Sequence, residues 1–318
     1  MNLAALEIRA RVLRQLRAFF DAREFVEVET PVRIAAPAPE PHIDCPAAIA
    51  RPDAAALARP TFLRASPELQ MKKLLAAGMT RIYQIGPCFR EGERGRRHSP
   101  EFTMLEWYRA SADYLDILAD MEALLAEIFD LNDLNGLNGL KGLNGFKGFK
   151  GFNGFKGLNG LKGSNGGFER ITVREAYLRW AGWDPFVAWD AERFDFDMAT
   201  KIEPNLPGGP LFLMDYPPQV ASLAKLRGNV AERWELYVNG LELANAFTEL
   251  ADPAEQRRRF EEARAERRRL DEADYPLDEA FLDALARMPP AGGVALGVDR
   301  LVMLVCGVDD ISTVRAGE

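Results

Sequence analysis

Between Gly293 and Leu304 the chain reads GVALGVDRLVML, a short apolar run that passes without a spacer into a helical pattern, with an Asp-Arg pair at the junction. Few folds accommodate this. The run before Val298 is too short for a helix and is bounded by glycine, so a buried strand is expected there. A strand that turns sharply into a helix brings the helix N-terminus to the end of a sheet, where glycine lets backbone approach a ligand closely. Arg300, at the start of the helix, is a planar fork that suits phosphate. Many strand-to-helix turns carry such residues. This one gains meaning from two upstream runs that fit the same chemistry, FREGERGRRHSPEFTMLEWY (Phe89 to Tyr108) and ELYVNGLELANAFTEL (Glu235 to Leu250).

In the later of these runs, Asn239-Gly240 between apolar stretches is a two-residue hairpin signal. Folding there sets Tyr237 opposite Glu242 and puts Glu235 diagonally across from Glu242 on one face. Carboxylates so close require a cation, and Mg²⁺ with nucleotide phosphates is the natural one. The competing reading of the same residues is the wet face of an ordinary hairpin. Strict alternation puts Glu242 and Glu249 on opposite faces, so using both demands a bulge or strand end near Asn245-Ala246. In the earlier run, Arg90 ends a strand and the following loop holds Arg94, Arg96, Arg97 and His98. Such a loop can clamp a polyphosphate, or it can be a solvated surface. Glu101, Glu106 and Tyr108 follow, and acidic groups beside a phosphate site suggest a substrate with its own ammonium groups.

Elsewhere Ile8, Val12, Leu16, Phe19 and Phe20 recur at helical spacing, and Phe25, Val26 and Val28 read as a strand ended by Thr30-Pro31. A Pro- and Ala-rich loop is expected from Ala35 to Pro46. After a strand near Thr61, Ser66 is expected as the N-cap of a helix with Pro67 at its first position. Ile82 to Phe89 and Phe102 to Trp107 read as two strands, and Tyr114 to Ile128 as an amphipathic helix. Eleven triplets, nearly all apolar-(Asn/Lys)-Gly, then fill Leu134 to Gly166. They are expected to be a low-complexity insert without a catalytic role, the sharper alternative being a docking loop. Beyond it come a strand and helix from Phe168, a strand from Leu211 to Pro217, and a highly charged helix from Pro253 to Leu270.

Composition narrows the function. The 318 residues, 47% hydrophobic, can bury a large core. No apolar run has membrane-spanning length and no signal peptide is visible, so no membrane partner and a cytoplasmic location are expected. Three scattered cysteines and two histidines offer neither a disulfide framework nor metal-ligand spacing. A net charge of −8 argues against holding a large RNA by its backbone. One domain over 1–318, interrupted at about 134–166, is the expected organisation.

Together, REFVEVETP, Phe89 to Tyr108 and Gly293 to Leu304 resemble motifs 1, 2 and 3 of the class II aminoacyl-tRNA synthetases. SPELQMKKLL and LELANAFTEL resemble the lysyl branch, and within it the free-standing elongation factor P lysine ligases. The resemblance implies an α+β fold in which an antiparallel sheet flanked by helices carries the active site on one face, and a homodimer built through motif 1. It implies ATP and Mg²⁺, activation of (R)-β-lysine (supplied by an aminomutase) as an acyl-adenylate, and transfer to a lysine ε-amine of elongation factor P. No tRNA is expected, because motif 1 begins near residue 9 and leaves no room for an anticodon-binding barrel. Ala295 stands where the synthetases carry glycine and the ligases alanine.

Residue by residue, the resemblance makes Arg90 and Arg300 catalytic, on the α- and γ-phosphates. Glu235 and Glu242 would hold Mg²⁺. Glu91, Gly92, His98, Ser99, Leu243, Asn245 and Gly297 would join Glu242 and the two arginines around ATP. Ser66, Glu68, Tyr108 and Glu249 would line the lysine pocket, with Phe247 and Ala295 as its wall. The chain departs from the family at Gly92, where Glu is frequent, at Ser99 in place of Asn, and at Ala246 in place of Gly. The rival readings are a minimal lysyl-tRNA synthetase that activates α-lysine and a non-catalytic paralogue acting as a sensor or interaction module.

Overall fold

The computed structural model of the chain describes residues 2–48, 60–134 and 168–317, with side chains described as far as Phe129 in the middle stretch. The triplet insert, apart from Leu134, lies outside the described residues. Helix α1 (Leu3–Asp21) forms where apolar residues recur every third or fourth position. Its stripe of Ile8, Val12, Leu16, Phe19 and Phe20 is buried, and Asn2 caps it by accepting from the Ala5 N–H at 3.2 Å.

The following elements run β1 (Val26–Glu27), β2 (Arg33–Ile34), β3 (Ala47–Ala48), β4 (Thr61–Leu63), α2 (Glu68–Ala76), β5 (Arg81–Phe89), β6 (Glu101–Ala110) and α3 (Tyr114–Leu134). Next come β7 (Glu169–Thr172), α4 (Val173–Ala176), α5 (Ala191–Asp197), β8 (Pro210–Tyr216), β9 (Leu226–Arg227), β10 (Val230–Val238), β11 (Leu241–Thr248), α6 (Pro253–Arg269), α7 (Glu279–Leu285), β12 (Ala291–Gly297) and α8 (Val298–Cys306). Helix α2 starts one residue later than the capping signal predicts. The Ser66 hydroxyl nevertheless accepts from the Glu68 N–H at 2.9 Å, so the hydrogen bond survives the shift in boundary.

The main sheet has the order β1-β5-β6-β12-β11-β10-β8-β7, with β9 paired to β10. Its interior pairs are antiparallel, while the outer pairs β1/β5 and β8/β7 are parallel. The α+β class and the helix-flanked sheet hold, and the sheet is mixed at its margins. Strands β2, β4 and β3 form a separate small sheet.

Alternation along the central strands divides the main sheet into two unlike faces. Leu105, Trp107, Trp234, Leu236, Val294 and Leu296 point to one side and pack into a continuous apolar core with α1, α3 and α8. Trp107 and Trp234 are fully buried there, each worth roughly 1.5–3 kcal/mol of burial. Their sequence neighbours Glu106, Tyr108, Arg233, Glu235, Gly293 and Ala295 face the other way and line a cavity.

Candidate active site

The β10–β11 hairpin closes at Asn239-Gly240 with positive φ at both residues, 52° and 70°, which is why this dipeptide stands there. Tyr237 pairs with Glu242, as expected. Leu236 then pairs with Ala244, leaving Leu243 as an extra residue on β11. The required bulge is therefore present, two residues earlier than expected. It shifts the strand by one position, so Glu242 shares a face with Asn245, Phe247 and Glu249.

At the junction of β12 and α8 the Asp-Arg pair divides its labour. Buried Asp299 turns inward, accepting from Arg9 at 2.5 Å and from the Thr103 N–H at 2.6 Å, and so ties α1, β6 and α8 together. Arg300 turns to the cavity, donating to the Glu242 carbonyl at 2.8 Å, with its other terminal nitrogen 2.8 Å from His98 Nε2. Gly292 and Gly293 make room for the protein's own groups. A Cβ on Gly293 would lie 2.3 Å from both Glu249 Oε1 and the Tyr108 ring, and one on Gly292 would lie 2.7 Å from the Asp113 carbonyl.

The cavity has a volume of about 410 Å³ and brings together Ser66, Glu68, Arg90, His98, Ser99, Tyr108, Glu235, Glu242, Leu243, Asn245, Phe247, Glu249, Ala295, Gly297 and Arg300. Glu91 and Gly92 do not line it. They turn away at the end of β5, where the Glu91 N–H donates to the Asp44 carbonyl and Gly92 adopts a φ of 76°.

Charge is sorted along the cavity. At one end Lys72, fully buried, lies 2.5 Å from Glu68 Oε1 and 2.5 Å from Glu249 Oε2. Burial alone would lower its pKa, but Glu249 and Glu68 outweigh that and hold it protonated. Burial, reinforced by Glu68, pushes Glu249 above the usual carboxylate range in spite of Lys72. Glu106 accepts from Ser66 Oγ at 2.7 Å and from the Tyr108 hydroxyl at 2.8 Å. Burial, then the nearby Glu68 charge, pushes Glu106 up to about 7.

At the other end stand Arg90, Arg97, His98 and Arg300. Arg90 lies over the Phe102 ring at 5.2 Å, and its buried Nε has no hydrogen-bond partner among the described residues. Desolvation, then the Arg300 charge, lowers the His98 pKa, so the neutral ring can accept from Arg300. Between the two ends, Glu235 accepts from the Tyr237 hydroxyl at 2.8 Å and from Arg233 at 2.5 Å. Burial and the Glu235 charge raise Glu242, an arrangement that a bound cation relieves.

Sequence reading passed over four groups. Lys72 was signalled by its i,i+4 spacing from Glu68. Arg233 was signalled by its place two residues before Glu235 on the same face; it is half-buried and stacks on Tyr216 at 4.4 Å. Asp299 sat beside the arginine that drew attention. Glu40, in the Pro-rich loop, carried no periodic signal at all. The three thiols are buried and their pKa values raised by burial, Cys45 to about 11 and Cys88 and Cys306 to about 12, which makes them poor nucleophiles. No helix among the described residues is long and apolar enough to cross a membrane.

Comparison with known proteins identifies relatives of the chain. Residues 2–316 match the family described as tRNA synthetases class II (D, K and N). The chain is 35% identical to an elongation factor P–(R)-β-lysine ligase of Proteus mirabilis, covering 99% of this chain and 95% of that protein. It is 37% identical to the protein of the same name from Sodalis glossinidius, over 99% of this chain and 94% of that one. A lysine–tRNA ligase of Moorella thermoacetica is 36% identical over 93% of this chain and 61% of its own length.

Proposed function

The chain belongs to the class II tRNA synthetases (D, K and N), and on that premise we propose that it is an ATP-dependent ligase that joins (R)-β-lysine to a lysine ε-amine of elongation factor P. Substrate and acceptor follow the names of the relatives. The observation that carries the reading in this chain is the sorted charge of the cavity. Three carboxyl groups, Glu68, Glu106 and Glu249, stand against one ammonium, Lys72. The excess of acidic groups suits the two ammonium groups of a diamino acid, whose arrival favours the ionised form of the raised Glu106 and Glu249. The arginines at the far end match a polyphosphate.

In the first step the substrate carboxylate attacks the α-phosphorus of ATP. The bond from that phosphorus to its bridging oxygen breaks and pyrophosphate leaves. Arg90 offers its unpartnered Nε to the α-phosphate, and Arg300 offers its fork to the γ-phosphate. Glu235 and Glu242 would hold Mg²⁺, whose charge would offset that of the phosphates. In the second step the acceptor amine attacks the adenylate carbonyl, the new C–N bond replaces the bond to phosphate oxygen, and AMP leaves. No protein nucleophile is required. A homodimer through the β1 edge, where Val26 is half exposed, and a cytoplasmic site of action without tRNA go with this reading.

Ala295 lies between Asn245 and Glu106 in the sheet register, so its methyl sits in the wall of the amino-acid end. A methyl there can shift the preference between an α- and a β-amino group, and alanine at this place goes with the ligase branch that the chain resembles. The convergence of Arg90, Glu235, Glu242 and Arg300 disfavours a sensor that has lost catalysis. The test is ATP–pyrophosphate exchange with (R)-β-lysine and α-lysine in parallel. Strong exchange with β-lysine and weak exchange with α-lysine is expected. A preference for α-lysine would sink the specificity, and exchange with neither would sink the ligase.

A further inference from the structure

A second and larger cavity, about 710 Å³, adjoins the first. Glu40 and Arg233 line both and form the wall between them. Arg233 is already engaged with Glu235, Asn245 and the Val220 carbonyl. Glu40 is differently held. Prolines at 39 and 41 restrict the backbone on either side of it. Its carbonyl accepts at 2.8 Å from Arg267, a guanidinium with no solvent exposure. Ser222 Oγ donates to Glu40 Oε2 at 3.1 Å. A carboxylate on an irregular loop is thus anchored through both backbone and side chain.

Its position relative to the chemistry is specific. Glu40 shares a small cavity with Ser66 and Glu68, of the amino-acid end, and lines the main cavity with Arg233 and with Arg90, of the phosphate end. An acyl-adenylate laid along the cavity would have its carbonyl between those two ends, and Glu40 borders residues of both. The second cavity is lined by Pro39, Pro218, Leu223 and Phe260, and by Gln256. Gln256 is 1% exposed, and neither polar atom of its side chain has a hydrogen-bond partner among the described residues. Much of the remaining lining is charged, with Glu255, Arg258, Arg259, Glu262 and Glu266 from α6. The apolar residues beside Glu40 suit an aliphatic lysine stem, and the polar and charged remainder, with the Gln256 amide, suits the peptide that carries it.

We propose that Glu40 is the base of the transfer step, taking a proton from the ε-ammonium of an acceptor lysine that approaches through the second cavity. The proposal rests on the ligase activity proposed above. The ammonium gives one proton to the Glu40 carboxylate, and its nitrogen lone pair then forms the C–N bond to the adenylate carbonyl. The C–O bond to phosphate breaks, AMP leaves with that electron pair, and the second nitrogen proton passes to the phosphate or to water. An ammonium cannot attack, so a group that accepts its proton is needed. Burial and the charge of Glu68 raise Glu40 from the ordinary carboxylate range, which makes it a better base than an exposed glutamate.

The test uses the full chain and its Glu40→Gln and Glu40→Asp variants, with three readouts at neutral pH. These are ATP–pyrophosphate exchange with (R)-β-lysine, single-turnover transfer from preformed adenylate to elongation factor P, and single-turnover capture by hydroxylamine, an amine nucleophile that is uncharged at that pH. Glu40→Gln is expected to lower transfer to the protein about 100-fold more than it lowers exchange or hydroxamate formation, and Glu40→Asp to recover part of the loss. Equal losses in all three readouts would mean that Glu40 only shapes the cavity, and would overturn the proposal. So would unimpaired transfer by Glu40→Gln. Exchange absent from the unmodified chain would remove the ligase reading, and this proposal with it.

Discussion

The two faces of the central sheet are made by the same strands and differ in nearly everything else. On β6, Leu105 and Trp107 face a dry apolar core while Glu106 and Tyr108, one residue away, face the cavity. On β12, Val294 and Leu296 are core while Gly293 and Ala295 are cavity wall. The apolar face gains by excluding water. The other buries the carboxyl groups of Glu106, Glu235 and Glu249, unfavourable for folding and useful for binding cations. Stability and chemistry are thus separated by a single step along each strand, and substitutions at neighbouring positions should have unlike consequences.

The largest separation is expected from Trp107→Ala, which should cost about 3–5 kcal/mol of stability, read as a fall in denaturation midpoint. Ligand affinity per folded molecule should change little; a variant that stays folded but cannot bind would break the division between faces. Next, Arg300→Ala should leave the unfolding midpoint nearly intact and lower pyrophosphate exchange by about 2.7–4 kcal/mol of activation free energy. A large loss of stability instead would make Arg300 a strut like its neighbour Asp299.

A smaller effect is expected from Ala295→Gly, which should move the ratio of exchange with (R)-β-lysine to exchange with α-lysine toward α-lysine by about 1–3 kcal/mol. An unchanged ratio would remove Ala295 from the specificity argument. Smallest is a pH effect. Glu106, raised to about 7, is neutral below that pH and charged above it. KM for the diamino acid should therefore fall severalfold from pH 6 to pH 8. Glu106→Gln should raise KM at pH 8 and flatten the profile, leaving only the slope due to Glu249, which is also raised. A variant with the full original slope would exclude Glu106 as its source.

Most of the cavity face was legible in the sequence, because it obeys local rules. The Asn239-Gly240 turn sets the register of Glu235 and Glu242, and strand alternation groups Glu106 with Tyr108. Less legible were features that depend on distant packing. Lys72 reads as one more helix lysine until Glu249, 177 positions later, closes over it. Glu40 lies in a loop whose place is set by Arg267 from α6, a contact with no local signature. The glycines of β12 were assigned to ligand approach, whereas Gly293 accommodates Tyr108 and Glu249, side chains that come from two other strands or their ends. The parallel edges of the sheet have a similar origin, since they arise from crossovers and not from turn grammar.

Leu243 changes the reading frame of its strand. Upstream of it the even-numbered Glu242 looks into the cavity; downstream the odd-numbered Asn245, Phe247 and Glu249 do. Chain length at this one point is therefore a functional variable in its own right. Deleting a single residue here would force Glu242 to compete for the apolar side, or else rotate the downstream residues away from Lys72. Exchange activity should disappear in such a deletion variant even though every charged group of the site is still encoded, an outcome that no catalogue of catalytic residues would anticipate.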